Sequence, residues 1–113
     1  MNFDTIIGIE IHAQLNLKKK LFSDVLINNT LKQNANSDYV DRGMPGTLPI
    51  LNINAIKLAI FFGKLIKGTV NKTIKFDRKH YFYPDLSKGY QITQKEQPLI
   101  INGHIILESN KKK

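Results

Sequence analysis

Residues 52–68 read NINAIKLAIFFGKLIKG, and this is the stretch of the chain with a clear helical period. Ala55, Leu58, Ala59, Phe62, Leu65 and Ile66 recur at spacings of three and four, which makes one apolar stripe and leaves Lys57 and Lys64 off it. Asn52 stands where an N-cap is needed, because its short side chain can accept from a free N–H of the first turn, and Gly68 is placed to end the helix. A helix is therefore predicted from about Ile53 to Lys67. The segments around it have a different period. From Ile7 to Leu15 the chain alternates, with Ile7, Ile9, Ile11, Ala13 and Leu15 on one side and Gly8, Glu10, His12 and Gln14 on the other, which predicts a half-buried strand. Thr73 to Tyr83 alternates as well. Ile74, Phe76, His80 and Phe82 face one way with Arg78 as the one charge among them, and Lys75, Asp77, Lys79, Tyr81 and Tyr83 face the other. One helix stands among alternating segments, and its amphipathic stripe suits packing against a sheet.

The connections follow from turn chemistry. Lys18-Lys19-Lys20 gives a polar tip before Leu21-Phe22 and predicts a hairpin turn, while the polar, Asn-rich run from Asn28 to Arg42 predicts a loop. Gly43-Met44-Pro45-Gly46-Thr47-Leu48-Pro49 fixes a turn, since its prolines and glycines exclude a helix interior. Leu99-Ile100-Ile101 and His104-Ile105-Ile106 flank Asn102-Gly103, the pair that suits a two-residue hairpin loop. No internal repeat occurs.

Composition bounds the rest. At 113 residues the chain is one small domain at most, and 42% hydrophobic with 23% charged residues excludes a wholly disordered polymer. Cysteine is absent, which removes disulfides, thiolate zinc sites and Cys nucleophiles together. No apolar run reaches the roughly 18 residues that span a bilayer, and MNFDTIIGIE has no basic segment followed by an apolar one, so a cytoplasmic protein without an export signal or a membrane partner is expected. The net charge is +8, with 15 Lys against 2 Arg, and six of the lysines sit in the triplets Lys18–Lys20 and Lys111–Lys113. A basic surface favours polyanions such as RNA. Ile, Asn and Lys together make 42 of the 113 residues, however, so codon bias from an A/T-rich genome accounts for the charge equally well.

Two strand faces carry chemistry. Glu10 and His12, two apart on a strand, project from one face with Cα atoms about 6 to 7 Å apart. The carboxylate is a hard oxygen ligand for Mg²⁺, and the imidazole could ligate, position a phosphate or move a proton. By spacing alone, an ordinary solvent-facing polar strand face is the stronger reading. On the second face Lys79, Tyr81 and Tyr83 follow Asp77, and Asp85, Lys88 and Gln91 come after a Pro/Gly turn. Lysine offers a compact charge to a phosphate, tyrosine a ring and a hydroxyl, and aspartate a hold on a cation or an amine. Spacing again fits an aromatic-rich strand pair with its tyrosines packed at the edge somewhat better. His80, alternating with Phe76 and Phe82, reads as a core or edge histidine, and His104 beside the turn as exposed. No P-loop, Gly-x-Gly-x-x-Gly run, His-Glu-x-x-His helix or Gly-x-Ser-x-Gly elbow occurs, so any nucleotide chemistry uses another kind of site.

Three blocks carry a resemblance: Ile7 to Leu15, Gly43 to Pro49, and Phe76-Asp77-Arg78-Lys79-His80-Tyr81-Phe82-Tyr83-Pro84-Asp85-Leu86-Ser87-Lys88-Gly89-Tyr90-Gln91. Over about Ile7 to Gln94 the chain resembles the B-type subunits of the glutamine-dependent aspartyl/glutamyl-tRNA amidotransferases. The resemblance implies conversion of Asp-tRNA(Asn) or Glu-tRNA(Gln) to Asn-tRNA(Asn) or Gln-tRNA(Gln) by a heterotrimer. The side-chain carboxylate is activated with ATP and Mg²⁺. Ammonia released from glutamine by the A-type glutaminase subunit then displaces the phosphate, while a small C-type subunit braces the pair. The resemblance also implies an antiparallel α+β cradle with one main helix, incomplete here. Glu10 and His12 would then be metal and phosphate groups in the same cleft as Lys79 and Tyr81. Lys79, Tyr81, Tyr83, Asp85, Lys88 and Gln91 would shape the pocket, with Lys79 and Lys88 against the nucleotide.

The departures carry expectations of their own. His80 and Ser87 stand where the family usually has Asn and Pro, which alters loop stiffness. Many relatives bind zinc through cysteines before the Met-Pro-Gly-like turn, whereas Asn34-Ala35-Asn36-Ser37-Asp38 stands there in this chain, so no zinc is expected. Residues 1–108 would be the N-terminal part of the cradle and 109–113 a Lys-rich tail, with the helical domain, the tRNA-holding tail domain and a further acidic cluster absent after Glu108. Three readings stay open: the cradle part of an amidotransferase subunit, a residual tRNA-binding module, and a fragment without catalytic activity.

Overall fold

Helix α1 spans Ile53–Leu65 in the computed structural model, which describes residues 3–30 and 32–107. Asn52 caps it: its side-chain oxygen accepts from the Asn54 N–H at 3.0 Å, and its amide donates to the carbonyls of Lys19 and Lys20 at 3.2 Å each. One residue thus starts the helix and ties that start to the preceding segment. At the other end Lys67, at φ 55°, takes the left-handed position. Its N–H donates to the Lys64 carbonyl at 3.1 Å, and the Gly68 N–H to the Gly63 carbonyl at 2.8 Å, the paired bonds of a Schellman motif. The helix therefore ends two residues before the expected Lys67, and Gly68 is small for a different reason. A Cβ on Gly68 would lie 2.6 Å from Ile100 Cγ2, and one on Gly63 2.6 Å from Ile100 Cδ1, so Ile100 fills a notch between them.

That notch selects the face that packs. Ala55 and Gly63 are buried, Ala59 and Ile66 are half-buried, and Leu58, Phe62 and Leu65 of the expected stripe are exposed. Small residues at every fourth position let a partner approach, which outweighs the larger apolar side chains one step round the helix.

The strands form two separate two-stranded antiparallel sheets. β1 (Thr69–Val70) pairs with β4 (Ile100–Ile101), and β2 (Asp77–His80) pairs with β3 (Tyr90–Thr93) in the register Asp77↔Thr93, Arg78↔Ile92, Lys79↔Gln91, His80↔Tyr90. One helix with two small antiparallel sheets and no closed barrel is the α+β class expected. Phe22 and Phe76 meet edge to face at 5.3 Å and join the second sheet to the residues after the lysine triplet. Val40, Ala55 and Leu99 are the buried apolar residues among those described, and the radius of gyration is 18.1 Å against about 13 Å for a packed domain of 100 residues. The arrangement is open. Among the described residues no helix is long and apolar enough to cross a membrane.

Several expectations are overturned. Ile7 to Leu15 is extended but belongs to no sheet, and Ile7, Ile9 and Ile11 are 81 to 86% exposed. Alternation encodes a face without supplying a partner, and no described segment offers this one a ladder. The hairpin turn lies one step later than expected: Lys19 bridges Leu26, with Lys20 N–H to Val25 O at 3.1 Å, so the lysines form an arm and residues 21–24 the turn. The strand over Thr73 to Tyr83 shortens to β2, and Phe82 is 94% exposed instead of facing inward. No Asn102-Gly103 hairpin forms. Asn102 takes φ 59°, but Gly103 does not join it in the left-handed region as a type I′ turn requires, and Ile100–Ile101 already pairs with β1. His104 N–H donates instead to Ile66 O at 2.9 Å.

Other expectations hold. Met44 to Thr47 is a tight turn with Gly46 at φ 82° and Thr47 N–H to Met44 O at 3.3 Å. Among the described residues of 28–42 there is no regular element, and His104 is exposed; His80, by contrast, is not in the core but exposed on β2 beside Tyr90, at 5.9 Å between ring centroids. The tail 109–113 lies outside the described residues.

Candidate functional site

Two of the sequence-selected groups are neighbours before any sheet is considered. In the extended segment His12 Nε2 lies 3.1 Å from Glu10 Oε1, both side chains largely exposed. The β2–β3 pair supplies the facing wall, since its register sets Lys79 directly across from Gln91. Glu10, His12, Lys79 and Gln91 then line one open cleft of about 660 Å³, together with Phe22, Phe76 and Ile92. One carboxylate, one imidazole, one ammonium and the Gln91 amide therefore share a cleft with apolar side chains. Such a set can hold a hydrated cation at one wall and an anionic oxygen at the other.

The remaining candidates are not gathered there. Tyr81 stands beside Lys79, with the ammonium 5.6 Å from its ring centroid, but does not line the cleft. Tyr83 and Asp85 are exposed on the β2–β3 loop. Lys88 lines a second cleft of about 400 Å³ with Lys20 and Asp41, its ammonium 5.7 Å from the Tyr90 ring centroid. Arg78, the charge on the opposite face of β2, lies 4.6 Å from that same ring centroid.

Two features had no signal in the sequence. Gln94 lines the first cleft; its oxygen accepts from Leu99 N–H at 3.4 Å, and its buried Nε2 has no hydrogen-bond partner among the described residues. Asp41 is a hub. Its Oδ2 accepts from Asp38 N–H at 3.0 Å and from the Ser23 hydroxyl at 3.1 Å, and its Oδ1 lies 3.3 Å from Lys20 Nζ. Burial raises the Asp41 pKa, but the hydrogen bonds from Asp38 and Ser23 and the Lys20 ammonium outweigh it and hold the carboxyl below the usual range. These partners come from distant stretches, so no motif announces them.

The donors also decide which metals suit the site. Among the described residues no three or more His, Cys, Asp or Glu side chains converge, and cysteine is absent. That set does not fit a closed tetrahedral zinc site. Glu10 with His12 fits a Mg²⁺ that keeps most of its waters and takes further oxygens from phosphates.

Comparison with known proteins gives this geometry a family. A family model described as the GatB/GatE catalytic domain matches residues 5–113. The B-type subunit of aspartyl/glutamyl-tRNA(Asn/Gln) amidotransferase from Legionella pneumophila (strain Lens) is 48% identical over 108 residues, 96% of this chain and 23% of the relative. The protein of the same name from Mycoplasmopsis synoviae (strain 53) is 49% identical over 112 residues, 99% of this chain and 24% of the relative. That from Vesicomyosocius okutanii is 50% identical over 105 residues, 93% of this chain and 22% of the relative. The chain spans about a quarter of the length of the curated relatives it matches. With residues 5–113 inside the family's catalytic-domain pattern and about half of all aligned positions identical, the chain belongs to the GatB/GatE family.

Proposed function

We propose that this chain supplies part of the kinase and transamidation pocket of an ATP-dependent tRNA amidotransferase, acting on Asp-tRNA(Asn) or Glu-tRNA(Gln). The observation that supports this most is the meeting of Glu10, His12, Lys79 and Gln91 in one cleft of a family member. A carboxylate is a poor electrophile, because attack by ammonia would have to expel an oxide. The substrate carboxylate oxygen therefore attacks the γ-phosphorus of ATP, and ADP leaves. Ammonia then attacks the acyl carbon, phosphate leaves with the bonding pair, and the nitrogen sheds its proton to give the amide.

Phosphoryl transfer asks the protein for position and charge more than for covalent help. Lys79 meets phosphate oxygens with a compact charge, and Gln91, paired across the ladder, aims a donor at the same space. The buried Gln94 Nε2 is a further donor in that wall. Glu10 and His12 are the groups that would hold Mg²⁺, which when bound neutralises phosphate charge. A glutaminase subunit that releases ammonia from glutamine and a small bracing subunit complete the assembly, with the misacylated tRNA as substrate.

The test is Glu10→Ala in the assembled amidotransferase. ATP-dependent transamidation should fall by about 10²-fold or more while glutaminase activity stays within about twofold. Equal loss of both activities would count against the assignment. Salt-dependent tRNA affinity without any ATP turnover in the unsubstituted complex would favour a binding module instead.

A further inference from the structure

The β2–β3 loop carries Tyr83, Asp85 and Lys88, and its shape is set by few internal bonds. Leu86 N–H donates to Tyr83 O and Gly89 N–H to Leu86 O, both at 3.0 Å, and Tyr81 N–H closes the base on Gly89 O at 3.1 Å. Two contacts from outside hold the loop in place. The Ser87 hydroxyl donates to the backbone carbonyl of Asp41 at 2.8 Å. Gly43, at φ 68°, presents bare backbone to Lys88, such that a Cβ there would lie 3.1 Å from both Lys88 Cα and Cγ. Both contacts issue from the turn that the Asp41 carboxylate locks.

We propose that Asp41 is a positioning residue for Lys88: its carboxylate, gripped by Ser23, Lys20 and the Asp38 N–H, fixes the turn whose Asp41 carbonyl and Gly43 backbone seat Ser87 and Lys88. The side chain does not touch the reacting groups. It acts through the adjoining loop, and its grip on Lys20 keeps that ammonium in the cleft that Lys88 also lines. Ser87 is the relay, because its hydroxyl is the side-chain hydrogen bond joining the loop to the turn among the described residues. A carboxamide at position 41 would still accept from Ser23 and Asp38 through one oxygen but would turn its NH2 toward the Lys20 ammonium. Asp41→Asn should therefore keep the turn while releasing Lys20, whereas Asp41→Ala should release the turn as well and leave the Ser23 hydroxyl buried without its acceptor.

The placement can be read without activity, which matters because the part concerning catalysis rests on the amidotransferase reading. In the full 113-residue chain, amide exchange at Leu86 and Gly89 and acylation of the Lys88 amine by acetic anhydride report the loop directly. Ser87→Ala and Asp41→Ala should each speed exchange at those two amides by about fivefold and raise Lys88 acylation, with the amide of Ile66 at the α1 C-cap unchanged, and Asp41→Asn should leave exchange at Leu86 and Gly89 close to that of the unsubstituted chain. Exchange at Leu86 and Gly89 unaltered in Ser87→Ala and Asp41→Ala, or acceleration spread equally over α1, would overturn the proposal. In the assembled amidotransferase, Ser87→Ala should lower kcat for transamidation about tenfold with KM for glutamine unchanged, and Asp41→Asn should restore most of what Asp41→Ala loses. A loosened loop with unchanged kcat would overturn the catalytic half. Absence of transamidation in the unsubstituted complex would sink the amidotransferase reading while the exchange measurements still decide the tie.

Discussion

The Asp41 carboxylate holds the Ser23 hydroxyl, the Lys20 ammonium and the Asp38 N–H at once. Its carboxyl pKa is lowered in the folded state relative to 3.8, so its contribution to stability is complete above that value and is lost as pH falls through the lower folded value. Below about pH 4, the unsubstituted chain should therefore lose thermal stability more steeply than Asp41→Asn, whose side chain does not titrate. Parallel melting-temperature profiles from about pH 6 to about pH 2.5 would refute this. Lys67 makes the opposite kind of prediction. It holds φ 55° with a side chain, where glycine would carry no penalty, and Lys67→Gly should stabilise the chain by about 1 kcal/mol in urea unfolding. Glu10 and His12 were legible in the sequence because alternation puts them on one side whether or not a sheet forms. Asp41 was not, because Ser23, Lys20 and Ser87 meet it only after three turns have folded.

At the scale of the element, the notch on α1 shows what periodicity leaves open. The period identified the helix, and Asn52 identified its start, yet only the Ala55, Ala59 and Ile66 part of the expected stripe packs, while Leu58, Phe62 and Leu65 stay exposed. What decides the packed face is the room that Gly63 and Gly68 leave for Ile100, a residue whose relation to the helix depends on β1–β4 pairing. Gly63→Ala raises helix propensity by about 1 kcal/mol but drives a methyl into Ile100, so it should destabilise by about 1 to 3 kcal/mol net. Ile100→Val or Ile100→Ala in the same background should recover part of that loss. A Gly63→Ala chain more stable than its parent in urea would contradict the packing. Asn102-Gly103 teaches the same lesson for strands, since turn chemistry is local but the edge of Ile100–Ile101 had a better partner at Thr69–Val70.

For the whole molecule, the open arrangement leaves Ile7, Ile9 and Ile11 exposed on a segment that pairs with no strand among the described residues, the form of surface that recruits other strands. Light scattering of the purified chain should rise with concentration, and Ile9→Lys should suppress that rise without changing the helical circular dichroism. Scattering indifferent to the substitution would place association elsewhere. The same openness leaves Glu10 largely solvated, so Mg²⁺ binding to the chain alone should be millimolar or weaker by NMR titration at His12. Ile100 also governs when the fold is completed. Helix α1 carries its own start and stop signals, but at 13 residues it needs tertiary packing to persist, and the side chain that fills its notch is synthesised about 30 residues later. At ordinary rates of synthesis that gap lasts on the order of seconds, so the notch beside Gly63 and Gly68 comes before the side chain that fills it.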